Sequence, residues 1–173
     1  DDTARVAALR AGLALYAAGE FHAAHDPWEG VWLGLKDATV GAGTDAVADA
    51  TDWSLASDEA LFHGLIQFTA AYHHAHDQNW SGAVGLAESG RGYLTAVPDD
   101  HRGVDADAAR DALARLQADP ERVERAPAPP LLHNGERVTS ESLSLDAAGL
   151  AAEALAEEHG LDADAVADAA RFA

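Results

Sequence analysis

The chain has 173 residues, of which 30 are acidic and 11 basic, a formal net charge of -19. That length suits one substantial hydrophobic core rather than two. The charge excludes nucleic acid and anionic membranes as partners, because phosphate groups would be repelled over most of the surface and no basic cluster remains as a footprint. Without cysteine there is no disulfide framework, thiolate nucleophile or Cys-ligated metal.

The basic residues are arginines apart from a single lysine, Lys36. Self-repulsion on this scale is largely relieved at molar salt, where the Debye length falls to ~3 Å, so the acidic, lysine-poor surface reads as halophilic adaptation rather than as a site. No apolar run approaches the ~20 residues of a membrane span. The acidic opening DDTARVAALRAG is the opposite of a secretory n-region, so a cytoplasmic protein is expected.

Residues 3–18 place Val6, Leu9, Leu13, Leu15 and Tyr16 at helical spacing, and Gly19 is a natural stop. Residues 20–35, EFHAAHDPWEGVWLGL, continue as a second helix in which His22, His25, Glu29 and Trp32 share one side. Pro27 interrupts it. Either the helix kinks there, or a new one starts with Asp26 as N-cap, Pro27 at N1 and Glu29 at N3. Residues 37–52 carry no consistent pattern and read as a loop, pinned at its far end by Trp53 and Leu55.

The stretch 57–77 organises the rest. Leu61, Leu65, Phe68 and Tyr72 lie on one helical face, and His63, Gln67, Ala70 and His74 on the other. Ser57 fits the N-cap, Asp58 and Glu59 suit the first turn, and Asn79 fits both the end of this helix and the cap of the next. Residues 79–97 form a further helix whose Gly82, Gly85, Gly90 and Gly92 weaken it by up to ~1 kcal/mol each unless they permit close approach to a neighbour, which is the expectation. Residues 104–117 form an amphipathic helix around Leu113 and Leu116. The expected fold is therefore all-α, a multi-helix bundle around 57–77. The core domain spans 1–118, the proline-rich stretch 119–130 is a linker, and 131–173 is a helical appendage that adds a layer or forms a homodimer. Within it Asn134-Gly135 suits a tight hairpin, and 146–159 and 162–171 are helices opening on capping aspartates.

Two stripes carry ligand chemistry: His25 with Glu29 at i, i+4, and His63, Gln67 and His74 on the central helix. Imidazole and carboxylate together bind zinc, iron or manganese, and facing helices of a bundle host such sites. Capping and a His–Glu hydrogen bond explain the first pair equally well, and a buried polar network explains the second. His73 and His76 read as surface residues, His101, His133 and His159 as isolated, and Trp28, Trp32 and Tyr72 as core.

The segments GEFHAAHDPWEGVW and FHGLIQFTAAYHHAHDQNWSGA resemble the domain of unknown function family 309, small all-helical proteins. The resemblance rests on Gly19, Phe21, Ala24, His25, Glu29 and Trp32, then on Gly64, Leu65, Ile66, Gln67, Ala71, His74, Asn79, Gly82 and Ala83. It covers roughly the first hundred residues, about 12–97. At position 26 this chain has Asp where the family pattern has Glu, and Pro27 follows it. The family has no established activity and is in part catalogued as predicted metal-dependent hydrolases. The resemblance thus implies a divalent transition metal (zinc, manganese or iron) held by His25, Glu29 and His74, with His63 and Asp26 as secondary candidates. Glu29 and Gln67 would be catalytic and the substrate a small molecule. The alternative is a non-enzymatic helical scaffold whose polar cluster is structural.

Overall fold

The computed structural model describes residues 1–41 and 50–161, with side chains for 1–38 and 55–161. Among the described residues six α-helices build an all-α bundle: α1 (Asp2–Ala17), α2 (Phe21–Gly41), α3 (Ala50–His76), α4 (Trp80–Thr95), α5 (Ala106–Ala118) and α6 (Leu145–Glu158). One two-stranded hairpin, β1 (Leu132–His133) with β2 (Glu136–Arg137), precedes α6. Among the described residues no helix is long and apolar enough to cross a membrane. The helix expected at 162–171 and the Trp53 side chain lie outside the described residues.

α1 starts where Asp1 Oδ1 accepts from Thr3 N (3.1 Å) and stops at Gly19, whose φ of 84° only glycine adopts freely. α2 does not restart at Pro27. It runs from Phe21 to Gly41 with Pro27 inside it, and the proposed cap Asp26 instead faces His25. An interior proline costs about 3 kcal/mol, and the neighbouring residue shows what offsets it. Trp28 is fully buried and donates Nε1–H to Leu9 O (3.2 Å). It sits in a slot that only glycine opens, since a Cβ on Gly12 would lie 2.2 Å from the indole. A buried Trp is worth ~3–5 kcal/mol on truncation, enough to hold the helix through the proline. The loop expected at 37–52 is likewise helical at both ends, because α2 reaches Gly41 and α3 begins at Ala50.

α3 is the central helix, longer at its start than 57–77. Leu61, Leu65, Phe68 and Tyr72 are all buried, and their face meets α1 and α2 in an aromatic group with Tyr16 and Phe21. Ser57 lies inside the helix and caps nothing. Asn79 does end α3 and cap α4, accepting from Gly82 N on Oδ1 (3.1 Å). Close helix approach holds at Gly64, where a Cβ would be 2.6 Å from Leu94, and at Gly90, where it would be 3.0 Å from Leu113 and 3.2 Å from Gln67 Cβ. Gly85 and Gly92 have no such neighbour within 4 Å. α5, capped by Asp105 on Ala108 N (2.9 Å), buries Leu113 and Leu116 against α4.

The segment 119–130 lies along the bundle. Its 3-10 turn, Pro120–Glu124, packs on α3, and Tyr16 Oη donates to Pro129 O. Asn134 (φ 52°) and Gly135 (φ 80°) make the expected tight turn, with Leu132 paired to Arg137. α6 is capped by Ser144, two residues earlier than the expected Asp146, and packs its buried Ala147, Ala151 and Ala154 against α1 and α2.

Candidate functional site

Two clusters combine histidine with carboxylate. The first lies on the opening turns of α2, where consecutive and i, i+4 positions bring His25, Asp26 and Glu29 to one side. Their ligand atoms lie within 4.8 Å of one another, the only such His/Asp/Glu group of three or more found among the described residues. His25 Nδ1–H donates to the carbonyl of His22 one turn back. That bond leaves Nε2 facing outward, 2.9 Å from Asp26 Oδ1 and 3.9 Å from Glu29 Oε2. A nitrogen lone pair facing two carboxylates is repelled, so the contact is attractive only with a proton or another cation between them. Burial raises the Asp26 carboxyl above its ordinary range. Glu157 of α6 and Glu29 add to the shift, against the opposing pull of His25 and His22.

Around this core, His22 pairs with Glu158 of α6, and the His22 ring lies 4.8 Å from that of His25 and 5.1 Å from that of His73 on α3. His73 Nε2 in turn meets Asp77 (3.3 Å). The cluster therefore sits where α2, α3 and α6 meet; His22 shares the α2 side as its spacing implies, while His73, Glu157 and Glu158 are participants that spacing within one helix does not reveal. The signal available was the excess of histidine at 22–25 and 73–76, on two stretches expected to pack together.

The residues named from sequence divide between places. His25, Asp26 and Glu29 come together. His74 accepts at Nδ1 from Asn79 Nδ2 (2.8 Å), and since Asn79 Oδ1 is committed to Gly82 N, the amide orientation is fixed and the ring proton falls on Nε2. Gln67 is half-buried beside Gly90 at the α3–α4 contact. His63 is stacked between Trp32 (4.4 Å between centroids) and Tyr93 (3.7 Å), with Glu59 Oε1 3.8 Å away. Burial holds the His63 imidazole below its usual value, with Glu59 pulling the other way and Lys36 adding to the lowering. Trp32 is half-buried rather than core, its Nε1 donating to Glu59 (2.9 Å) and its ring facing Lys36.

The second cluster is built around Asp58. Its carboxylate is fully buried and receives Arg5 (3.1 Å), His101 Nε2 (2.8 Å) and both Nε and Nη2 of Arg102, the latter at 2.6 Å. Arg102 also reaches Asp2 (2.9 Å). Burial alone would raise this carboxyl, but hydrogen bonds and charge from Arg102 and His101 hold it below the ordinary range. Asp58 was expected as a first-turn carboxylate and His101 as isolated; α3 starts at Ala50, so Asp58 instead lies inside the helix on the stripe of Leu61 and Leu65, and His101 is its partner. A carboxylate on an apolar stripe must bring its own cations.

The family comparison concerns the central helix. A family model for a domain of unknown function, DUF309, matches residues 51–86. The DUF309 match covers α3 and the beginning of α4, and includes Gln67, His74, Asn79, Gly82 and Ala83. His25, Asp26 and Glu29 lie outside it. No curated protein matches the chain.

Proposed function

We propose that the chain is a metal-dependent hydrolase whose divalent transition ion, zinc, manganese or iron, is held by His25, Asp26 and Glu29 on α2. One observation carries the reading: His25 spends Nδ1–H on a backbone carbonyl and turns Nε2 toward two carboxylates, which calls for a cation at that point. Anchoring of the distal ring nitrogen is the usual support of a histidine ligand. The donor set, one imidazole and two carboxylates, suits a borderline or hard divalent ion and leaves coordination positions for solvent and substrate.

When bound, such an ion supplies Lewis-acid activation of water and of the scissile bond. The chain's own residues do the rest. Glu29, the most exposed of the three, has a carboxylate oxygen open to accept a proton from water. His22, held by Glu158, and His73, held by Asp77, stand beside the cluster as groups able to pass that proton onward. The substrate class that this arrangement accepts is a small ester or phosphoester.

The test is turnover of phosphomonoesters, phosphodiesters and carboxylic esters by chelator-stripped and metal-reloaded protein in high salt. Activity that needs added metal and falls by about a hundredfold or more in His25→Ala supports the proposal. A non-enzymatic scaffold is the second reading. It draws on the His22–Glu158 pair and on Glu157 beside Asp26, which join α2 to α6 through the same cluster. No turnover of any substrate, with His25→Ala and Glu29→Gln both lowering the melting temperature, would favour it.

A further inference from the structure

A separate cleft opens where the end of α1 and the start of α2 face the proline-rich segment. It has a volume of about 220 Å³, below the roughly 300–1,000 Å³ typical of sites for drug-sized ligands. Its walls include Tyr16, Phe21, Pro127, Pro129 and Leu131, and its one charged wall residue is Arg137. The walls are set by the fold. Tyr16 Oη donates to Pro129 O and pins the proline segment over the aromatic pair, whose ring centroids are 5.3 Å apart. Arg137 is held at the rim because β2 pairs it with Leu132 and the next residue, Val138, is buried.

The guanidinium at the rim is open to a ligand. Arg5, Arg102, Arg110 and Arg125 each pair with aspartate, whereas Arg10 and Arg91 are taken up by His133, Ser142 and Gln117. Arg137 is exposed and has no carboxylate within 4.0 Å among the described residues. Its field nevertheless reaches the cleft. Burial pushes the Tyr16 phenol far above its ordinary value, Tyr72 adds to the shift, and the Arg137 guanidinium pulls against it.

We infer that this cleft is a binding site for a small aromatic carboxylate, with the ring between Tyr16, Phe21 and the prolines and the carboxylate on Arg137. The inference does not depend on the reading of the α2 cluster. The apolar walls need an apolar body, and the aromatic and proline surfaces favour a flat ring. A single guanidinium at the rim matches one carboxylate in its forked geometry and leaves a dianionic phosphate half-neutralised. Molar salt screens the overall negative charge at a distance but acts less on a pair in contact.

The test is isothermal titration of the full chain in molar salt with phenylacetate and with its neutral analogue phenylacetamide. Saturable one-to-one binding of phenylacetate is expected, with the amide roughly tenfold weaker. Arg137→Gln, at an exposed position that leaves the melting curve unchanged, should reduce phenylacetate to the level of the amide. Ala17→Trp, which fills the cleft from its α1 wall, should abolish binding of both. The inference is overturned if phenylacetate shows no saturable binding. It is also overturned if acid and amide bind equally, or if Arg137→Gln leaves the acid unaffected.

Discussion

Asp58 and Asp26 are both aspartates beside a histidine, and they have opposite electrostatics. Asp58 is fully buried and surrounded by cations: Arg5, Arg102 and His101 together more than neutralise it. Asp26 is half-buried; burial acts first against its charged form, Glu157 and Glu29 add to that, and His25 and His22 oppose it. One carboxyl is pushed below its ordinary range and the other above it. A cluster that already holds its counter-charge is complete as a structural joint, tying the start of α1 and the loop after α4 to α3. A cluster whose carboxylates are met only by imidazoles, at a surface that solvent reaches, has a place that a proton or a metal ion can take. The same residue types therefore mark a joint in one place and a candidate site in the other.

The largest effect should come from breaking the joint. Asp58→Ala removes the shared partner of Arg5, His101 and Arg102, leaving Arg102 only its exposed bond to Asp2, and should cost about 3–5 kcal/mol, seen as a large fall in the melting temperature. The pH dependence follows from the lowered carboxyl. Its stabilisation is present above the unfolded-state value of about 3.9 and is lost as the pH falls through the still lower folded value, so acid unfolding of the wild type should be steep below about pH 4. Asp58→Asn should flatten that limb; an unchanged acid limb would show that the ion network does not govern it.

Adding a metal ion should come next in size. At a free metal concentration a hundred times the dissociation constant, binding to the native state alone stabilises by about 2.7 kcal/mol. Manganese or zinc should raise the melting temperature of the wild type and of Asp58→Asn but not of His25→Ala. The rise should shrink as the pH is lowered, because protons compete for His25 Nε2. A metal-dependent shift that survives in His25→Ala would move the site elsewhere.

Much of the fold was open to sequence reading because periodicity records burial. The core stripe of α3, the Asn79 cap and the Asn134-Gly135 turn are all local patterns, and the structure contains each of them. Pro27 left two readings open, a continuous helix with a kink or a restart, because its cost is local while its compensation, Trp28 entering the slot at Gly12, is tertiary. The candidate site was legible only within one helix: His25 and Glu29 announce themselves at i, i+4. His22 shares that side, but the contributions of His73, Glu157 and Glu158 depend on α2, α3 and α6 meeting, and Asp58 read as a first-turn carboxylate because its partners come from residues 5, 101 and 102. The DUF309 match, confined to residues 51–86, covers neither side of the α2–α6 contact.

Smaller changes sharpen the contrast. Asp26→Asn removes a carboxyl that folding disfavours in its charged form. In the metal-free protein it should be neutral or stabilising at neutral pH by less than ~1 kcal/mol, the reverse in sign of Asp58→Asn, and it should still weaken metal uptake. Denaturant titration at pH 7 reads both signs, and a clear loss of stability in Asp26→Asn would place it with the structural joint. His22→Gln, which loses the half-exposed pair with Glu158 and the ring contacts with His25 and His73, should change stability by under ~1 kcal/mol in the same titration.

The most direct measurement is the metal content of natively purified protein, prepared in high salt without chelator or nickel affinity resin, for the wild type, His25→Ala and Asp58→Asn in parallel. The account predicts about one transition ion per chain in the wild type and in Asp58→Asn, and none in His25→Ala. A wild type that holds no metal, and takes up none from zinc, manganese or iron, would contradict it and leave both clusters as joints of a helical scaffold.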